Sequence, residues 1–230
     1  LDTTIGHVYL DYVEKYKAVP VTFVVDKGSE TGILFAHQTA LRETYAPNID
    51  SGIFRPVQHM RSVNNTPIEG VWHWYRKTFG QNIKDVIRSG YSDGIFQPDS
   101  TLHKNLFYWL WPQIVQSQLD QFSEYWNNHR IRKQAEKSNM SGKSPRHGFT
   151  VPEAPAEDCK IEVDQVVIEA LRAQISIPRE EAMRWVDEDF DVSAKEAFAT
   201  IGHPSLTNPL TGWEVFSQML AVLPEATQTI

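Results

Sequence analysis

Cysteine is almost absent from this sequence, and so are long apolar runs. The one cysteine, Cys159, cannot form a disulfide within the chain, and it rules out a cysteine-rich zinc site. No stretch approaches the roughly 18 to 20 apolar residues that a transmembrane helix needs, and no secretory signal pattern opens the chain. We therefore expect an intracellular protein, nuclear or cytoplasmic, with no membrane partner.

Positive charge is also scarce. The chain has 22 Lys and Arg against 29 Asp and Glu, a formal net charge of −7. Because phosphate binding relies on clustered Lys and Arg, such a surface does not favour non-specific binding of nucleic acid. One local cluster is basic, and it comprises His129, Arg130, Arg132, Lys133, Lys137, Lys143, Arg146 and His147. From charge alone, it is either a nucleic-acid patch or a solvated helix end and loop.

The remaining composition is that of an ordinary globular protein. The 230 residues are 41% hydrophobic and include 7 Trp and 11 Phe. This is enough for one well-buried domain, or for one domain with a smaller appendage. We expect Trp72 to lie in the core, and Trp109 and Trp111 to be packing residues rather than base-stacking platforms. The chain opens at Leu1 inside a helical pattern, so we expect it to be truncated or processed.

The first 26 residues predict an α/β unit. Apolar residues at helical spacing predict a helix over residues 3–17, which Pro20 ends. Residues 21–25 (VTFVV) form a continuous β-branched and aromatic run, typical of a strand buried on both faces of a parallel sheet. Asp26 follows directly, at the carboxyl end of the strand, where the catalytic groups of such sheets gather.

Helices dominate the rest of the prediction. A weaker strand is predicted over residues 53–57, and helices are predicted over residues 34–45, 68–86 and 104–127, the last kinked at Pro112. Residues 137–155 are rich in Ser, Gly, Lys and Pro and predict a loop or linker. The tail predicts helices over residues 163–174, 178–187 and 211–223, with a shorter one capped by Ser193 and ending at Gly202.

Two acidic positions carry the candidate chemistry. Asp26 follows the first strand, and Glu69 begins a helix after a polar loop. Carboxylates at a strand end and a helix start can meet across a short gap and hold Mg²⁺ ions that support phosphoryl transfer. Both residues also have structural interpretations. Asp26 fits a turn-forming Asp-x-Gly, and Thr66-x-x-Glu69 fits a capping box with Pro67 at the first helical position.

The two positions resemble those of the integrase catalytic core, found in retroelement integrases and many transposases of the DDE superfamily. In that family the second acid opens a D-x-G-x-E-like turn after a buried strand, which Asp26, Gly28 and Glu30 match. The third acid begins a helix after a loop rich in Ser and Asn. Here that pattern is matched by Ser62, Asn65 and Glu69.

A longer motif narrows the resemblance. Ser-Val-x-Asn-x-x-Ile-Glu-x-x-Trp, followed downstream by Trp-Asn-Asn-His at residues 126–129, is similar to the divergent integrase-core proteins of fungal and animal genomes. The resemblance covers about residues 5–150, and it implies a ribonuclease-H-like fold.

The resemblance implies a role for each matched residue. Asp26 and Glu69 would be catalytic residues and ligands of Mg²⁺ or Mn²⁺. The side chains that would shape the site are Gly28, Glu30, Ser62 and Asn65. DNA would be the partner, contacted through the basic stretch that contains Arg130, Arg132, Lys133, Lys143 and Arg146.

The sequence departs from the family at the first acid, which should lie on a strand upstream of the first helix. Asp2 is too close to that helix, and Asp11 lies on it. Because two carboxylates hold metal weakly, we expect a chain that is inactive in strand transfer. With the opening strands missing, strand 21–25 should have an open edge, so we expect self-association or a partner chain.

The predicted fold class is α/β, a partial ribonuclease-H-like core that lacks its first strands, is mainly helical and carries an all-helical C-terminal extension. The predicted divisions are a core (1–136), a basic and proline-containing linker (137–158) and the extension (159–230). The leading function is a fragment or domesticated relative of a DDE integrase or transposase. Two alternatives stay open, a non-enzymatic transposon-derived scaffold or protein-binding module, and another metal-dependent hydrolase or nuclease.

Overall fold

The structure is a computed structural model of the chain. It describes residues 1–26, 28–60, 66–136, 141–154 and 156–223. The predicted site residues Ser62 and Asn65 lie outside the described residues.

Within the described residues, three of the four short strands lie among helices in the first 60 residues, and helices prevail after them. The helices are α1 (Asp2–Tyr16), α2 (Gly32–Tyr45), α3 (Thr66–Tyr75), α4 (Gln81–Ser92), α5 (Thr101–Asn128), α6 (Pro145–Thr150), α7 (Gln165–Ala173), α8 (Arg179–Ala182), α9 (Glu188–Thr200) and α10 (Gly212–Val222). The strands are β1 (Ala18–Pro20), β2 (Phe23–Asp26), β3 (Val57–Met60) and β4 (Lys160–Glu162). Short 3₁₀ helices lie at Ser29–Thr31 and Pro209–Thr211, and a π-helical turn at Arg76–Gly80 joins α3 to α4.

The chain divides into two compact units. The strand unit is Leu1–Gly70 with Ala154–Arg184, and the helical unit is Val71–Glu153 with Trp185–Ile230. Residues 154–184 therefore belong to the same unit as residues 1–70, although they are far from them in sequence. The predicted division into core, linker and extension stays a prediction.

The strand unit is built on the packing of α1 against α2. Its core includes Tyr9, Leu10 and Val13 of α1 together with Leu34 and Leu41 of α2. Apolar side chains spaced three and four residues apart face this core, which is the pattern that predicts the α1 helix. The prediction of a helix over residues 3–17 is confirmed by α1.

Two separate pairs of strands complete this unit. Strands β2 and β3 pair in parallel, with Asp26 opposite Met60, while β1 pairs antiparallel with β4. Within the described part of the chain β2 has β3 as its one partner strand, so the sheet predicted for this region is small. The prediction that the strand is buried on both faces is wrong, because Val24 is 41% exposed and only Val25 is buried.

The second predicted strand is shifted along the chain. We predicted residues 53–57, but residues 51–54 form a turn and β3 begins at Val57. The guanidinium of Arg42, fully buried, donates to the carbonyls of Ile49 at 2.8 Å and Phe54 at 3.0 Å. These bonds hold residues 49–54 as a turn, so extended pairing with β2 starts only after it.

The helical unit has a core rich in aromatic side chains. The buried residues Trp109, Trp111 and Leu106 of α5 pack with Phe190 of α9 and Phe216 of α10. The prediction that Trp109 and Trp111 are packing residues is confirmed. Helix α5 continues through Pro112.

Other details of the helical unit differ from the prediction. The Asp187 carboxylate, not the Ser193 hydroxyl, caps α9, accepting from the Phe190 amide at 2.8 Å. Helix α6 lies within residues 137–155, where we predicted a loop. Trp72, expected in the core, is 47% exposed. Among the described residues, no helix has the length and apolar character needed to cross a membrane.

Candidate functional site

The first predicted acid, Asp26, is the last residue of β2. The parallel register places it opposite Met60, the last residue of β3. Helix α2 connects the two strands, which is the β–α–β arrangement that a parallel pair requires. Asp26 is exposed, at the carboxyl end of the pair, where ligands of open α/β sheets bind.

The second predicted acid, Glu69, lies in the first turn of α3 and is exposed. Only nine positions separate it from Met60 along the chain, so it follows the same carboxyl end of the sheet. Both acids thus come after strands that end side by side. The capping-box interpretation of Glu69 depends on the Thr66 side chain, which lies outside the described residues.

The turn after Asp26 is fixed by local contacts. Gly28 has an extended backbone (φ −130°, ψ 148°), and its carbonyl accepts a hydrogen bond from the Thr31 hydroxyl at 2.9 Å. A Cβ atom at Gly28 would overlap the carboxylate of Glu30, which folds back over the glycine. The Glu30 carboxylate is the end of a flexible side chain that could move aside, and the extended backbone of Gly28 does not itself require a glycine.

Helix α1 anchors the other side of this turn. The Asp2 carboxylate accepts a hydrogen bond from the Ile33 amide at 3.0 Å, near the start of α2. Asp2 was rejected above as a candidate for the family's first acid. Its carboxylate instead fixes the start of α2.

The described residues do not fit a complete metal centre. A Mg²⁺ ion takes six oxygen ligands, and phosphoryl transfer commonly uses two ions held by three or more carboxylates. Within the described residues no group of three or more His, Cys, Asp or Glu side chains converges to hold an ion. Asp26 and Glu69 would supply two carboxylates.

The predicted basic stretch is partly neutralised by acidic neighbours. Lys143 pairs with Glu153, and Arg146 pairs with Glu124 at 2.6 Å. Hydrogen bonds from Arg146 and Asn128 lower the pKa of the Glu124 carboxyl, which favours the charged form that pairs with Arg146.

The other three predicted basic residues are differently placed. Arg130 donates from Nε to the Gly142 carbonyl at 3.0 Å, which ties the end of α5 to the loop before α6. Arg132 and Lys133 are exposed. They are therefore the members of the stretch best placed to meet phosphate.

The sequence prediction missed an exposed aromatic and basic segment. Trp72 and Trp74 of α3 are both about half exposed, and Arg76 and Lys77 follow them. The signal was present in the run WHWYRK, where aromatic residues are followed directly by two basic ones, but helical spacing favoured a core position for Trp72.

Comparison with known protein families shows which family this chain belongs to. The family described as integrase core domain matches residues 3–142 of this chain. The chain belongs to the integrase core domain family. The match includes both Asp26 and Glu69, and it reaches into the basic stretch. No curated protein and no solved structure matches the chain.

Membership of the integrase core domain family confirms the resemblance found in the sequence. The mainly helical α/β structure agrees with it. The matched segment covers strands β1 to β3, helices α2 to α5 and all of α1 except its first residue. Within it the chain runs through strand β2, which ends at Asp26, helix α2, strand β3 and helix α3, which has Glu69 in its first turn.

Proposed function

We propose that this chain is a DNA-contacting relative of the DDE integrases and transposases. In this proposal Asp26 and Glu69 are two of the family's acids. The observation that carries it is the parallel pairing of β2 with β3, since Asp26 ends one strand and Glu69 follows the end of the other. The family match over residues 3–142 supports it independently.

The chain as given is proposed to bind DNA without cleaving it. In such enzymes the carboxylates hold divalent ions that activate the attacking oxygen and stabilise the leaving one. Asp26 and Glu69 alone give fewer ligands than that chemistry needs, so residues 1–230 would not transfer strands by themselves.

A nicking assay tests the proposed inactivity. Purified chain is incubated with supercoiled plasmid in Mg²⁺ or Mn²⁺, beside an Asp26→Asn, Glu69→Gln double variant. The proposal expects the same background in both. Metal-dependent nicking that disappears in the double variant would show an active site and contradict the inactivity.

DNA contact is tested separately, in the absence of divalent ions. Arg132→Gln and Lys133→Gln should each weaken binding of a 20-base-pair duplex and lower the slope of log K against log salt by up to about 0.9. Lys104→Gln, an exposed lysine of α5, is the matched control and should change neither. If all three variants behave alike, the basic stretch does not contact phosphate.

A non-enzymatic scaffold is the second candidate. The pairing of Lys143 and Arg146 with carboxylates and the net charge of −7 favour it over a phosphate-binding face. A duplex affinity that neither Arg132→Gln nor Lys133→Gln alters would support this candidate, and a salt-dependent loss would count against it.

A further inference from the structure

Strand β3 has an edge that no other strand covers within the described residues. Its parallel partner β2 takes one edge, and the sheet has these two strands. The Phe23 amide donates to the Pro56 carbonyl at 2.8 Å, so the alternation along a strand directs the carbonyls of Pro56 and Gln58 to β2. The backbone amides and carbonyls of Val57 and His59 therefore point to the opposite, free edge.

A cavity of about 450 Å³ lies along this free edge. Residues 55–59 line one side of it, and Phe35 and Thr39, which are one turn apart on α2, line the other. All of them belong to the strand unit. Among the described residues, none from β2 lines the cavity, which places it on the side of β3 away from its partner strand. The edge of β3 and the flank of α2 thus form the two walls of one groove.

The side chains along this edge face α2. Val57 is buried in the core that includes Leu34 and Leu41 of α2. The His59 ring stacks on that of Phe35, with ring centroids 5.8 Å apart and an interplanar angle of 9°. Residues directly opposite each other in an antiparallel pair place their side chains on the same face. A chain paired with Val57 and His59 would therefore direct two of its side chains toward the groove.

One cation lies where β3 begins. Arg55 is exposed, and it is the one Lys, Arg, Asp or Glu among the residues that line the cavity. No carboxylate of the described residues forms an ion pair with it. The carboxylate of Asp50, in the preceding turn, accepts a hydrogen bond from the Gly52 amide at 2.7 Å. The Arg55 guanidinium is therefore available to a carboxylate from a chain lying in the groove.

We propose that the free edge of β3 binds an extended, acidic peptide segment of a partner protein by strand addition. The peptide backbone would pair with Val57 and His59. An apolar side chain of the peptide would fill the cavity beside Phe35 and Thr39, and a carboxylate would meet Arg55. In an antiparallel pair the carboxylate follows the apolar residue along the peptide, because the peptide runs from His59 toward Arg55. This binding is independent of the proposed DNA contact and metal site.

An extended chain is the ligand that uses all three features of the groove. A small apolar molecule would fill the cavity but leave the outward amides of β3 unpaired. A helix has its backbone groups bonded internally, so it cannot pair with a strand edge. A nucleic acid would use Arg55 but has no apolar side chain for the cavity.

The experiment measures binding of the full chain to the fluorescein-labelled peptide Gly-Ser-Thr-Val-Thr-Phe-Thr-Asp-Ser-Gly by fluorescence anisotropy. The Val and Phe of the peptide are placed to lie opposite His59 and Val57, and its Asp follows two positions later. Replacing the Phe by Asn should weaken binding roughly 10-fold or more, because the cavity loses its apolar occupant. Replacing the Asp by Asn should weaken binding about two- to fivefold.

Methylation of single peptide nitrogens tests the backbone pairing without changing the protein. A methyl group on the Phe nitrogen removes the donor that should bond the Val57 carbonyl, so it should weaken binding roughly 10-fold or more. The nitrogen of the preceding Thr faces away from β3. Its methylation should therefore change the affinity by less than about twofold.

Protein variants test the same edge. His59→Pro removes an outward amide and leaves the pairing with β2 intact, while His59→Ala is the matched control because both variants lose the imidazole. The Pro variant should bind the peptide about fivefold more weakly than the Ala variant, and thermal melts check that both are folded.

Arg55→Gln should weaken binding of the Asp peptide about two- to fivefold and leave binding of the Asn peptide unchanged. Lys15→Gln, at an exposed lysine in the last turn of α1, is the control for lost positive charge and should change neither.

Four results would overturn the strand addition. They are no binding at millimolar peptide, equal weakening by the two methyl groups, no effect of replacing the Phe, and an effect of Arg55→Gln that persists with the Asn peptide. Self-association that His59→Pro removes, together with absent peptide binding, would assign the edge to a second copy of the chain and would also overturn the proposal.

Discussion

A buried histidine pair gives this molecule its clearest residue-scale response to pH. His7 of α1 donates from Nε2 to the Ile177 carbonyl at 2.8 Å, and His37 of α2 is only 8% exposed. Burial, and secondarily the charge of His7, lowers the pKa of His37 below its ordinary value of 6.5. The folded state therefore favours the neutral imidazole of His37.

The direction of the stability change follows from that pKa. Above pH 6.5 His37 is neutral in both the folded and the unfolded chain, so it does not reduce the free energy of unfolding there. As the pH falls below 6.5 the unfolded chain takes up the proton first, so the free energy of unfolding decreases until the folded pKa is passed. We therefore predict a melting temperature that falls between pH 7 and pH 5.

His37→Gln should flatten this pH dependence, because the substituted side chain does not titrate. Thermal melts at pH 7, 6 and 5 measure it, with His73→Gln on the exposed face of α3 as the control. Equal slopes in wild type and His37→Gln would contradict the assignment.

The carboxyl group of Asp11 gives stability a second pH dependence, at lower pH than that of His37. Burial raises the pKa of its carboxyl, but hydrogen bonds from Arg179 and Arg172 outweigh burial and leave the pKa below its ordinary value of 3.8. Its stabilisation is present above pH 3.8 and is lost only as the pH falls through the folded pKa. The histidine effect is therefore measurable without interference from Asp11.

Residue-scale prediction from the sequence succeeded where a local pattern decides the outcome. Asp26 lies at the end of a strand because the apolar run VTFVV and the following turn are sequence-local. The prediction that Trp72 lies in the core was wrong. The exposure of this side chain depends on which neighbours the fold brings to α3, and helical spacing does not specify those neighbours. The burial of Arg42 could not be predicted from the sequence, because arginine side chains are seldom buried.

At the scale of elements, the approach of α4 to α10 depends on a glycine. A Cβ atom at Gly90 would overlap the Trp213 ring, whose Nε1 donates to the Val86 carbonyl at 2.6 Å. Trp213 is buried, so its ring has little room to move. Close packing of these two helices therefore requires the absence of a side chain at this position.

Gly90→Ala should destabilise the protein by about 1–3 kcal/mol through overpacking, despite the helix propensity of alanine. Gly70→Ala is the matched control, because a Cβ there meets nothing within 4 Å in the same kind of helix. It should stabilise by up to about 1 kcal/mol. Urea unfolding of both variants measures the difference, and a stabilising Gly90→Ala would refute the packing argument.

Element boundaries show what the sequence could and could not specify. Helix α1 was predicted to within a residue because its apolar periodicity is strong. Strand β3 was misplaced because the long-range bonds of Arg42 hold residues 49–54 as a turn. Strands β1 and β4 were missed because each has three residues and their pairing joins segments about 140 positions apart.

At the scale of the whole molecule, the free edge of β2 is the predicted route to association. The Phe23 amide donates to the Pro56 carbonyl, so the alternation along a strand directs the Val24 amide to the opposite edge. Within the described residues that edge has no partner strand. Unpaired strand edges template pairing with another chain.

Val24→Pro should therefore lower any self-association while leaving the pairing of β2 with β3 intact, because proline removes only the outward amide. Sedimentation velocity across a concentration series measures it. Association that survives Val24→Pro unchanged would place the contact elsewhere.

The proposed site requires that the carboxylates of Asp26 and Glu69 meet beyond the paired ends of β2 and β3. Water-proton relaxation with increasing Mn²⁺ tests this directly in the wild type, in Asp26→Asn, in Glu69→Gln and in the double variant. If the two groups share an ion, a weak site is present, and each single variant loses as much affinity as the double variant. Independent losses that add, or an affinity that no variant changes, would show that the two carboxylates do not share an ion.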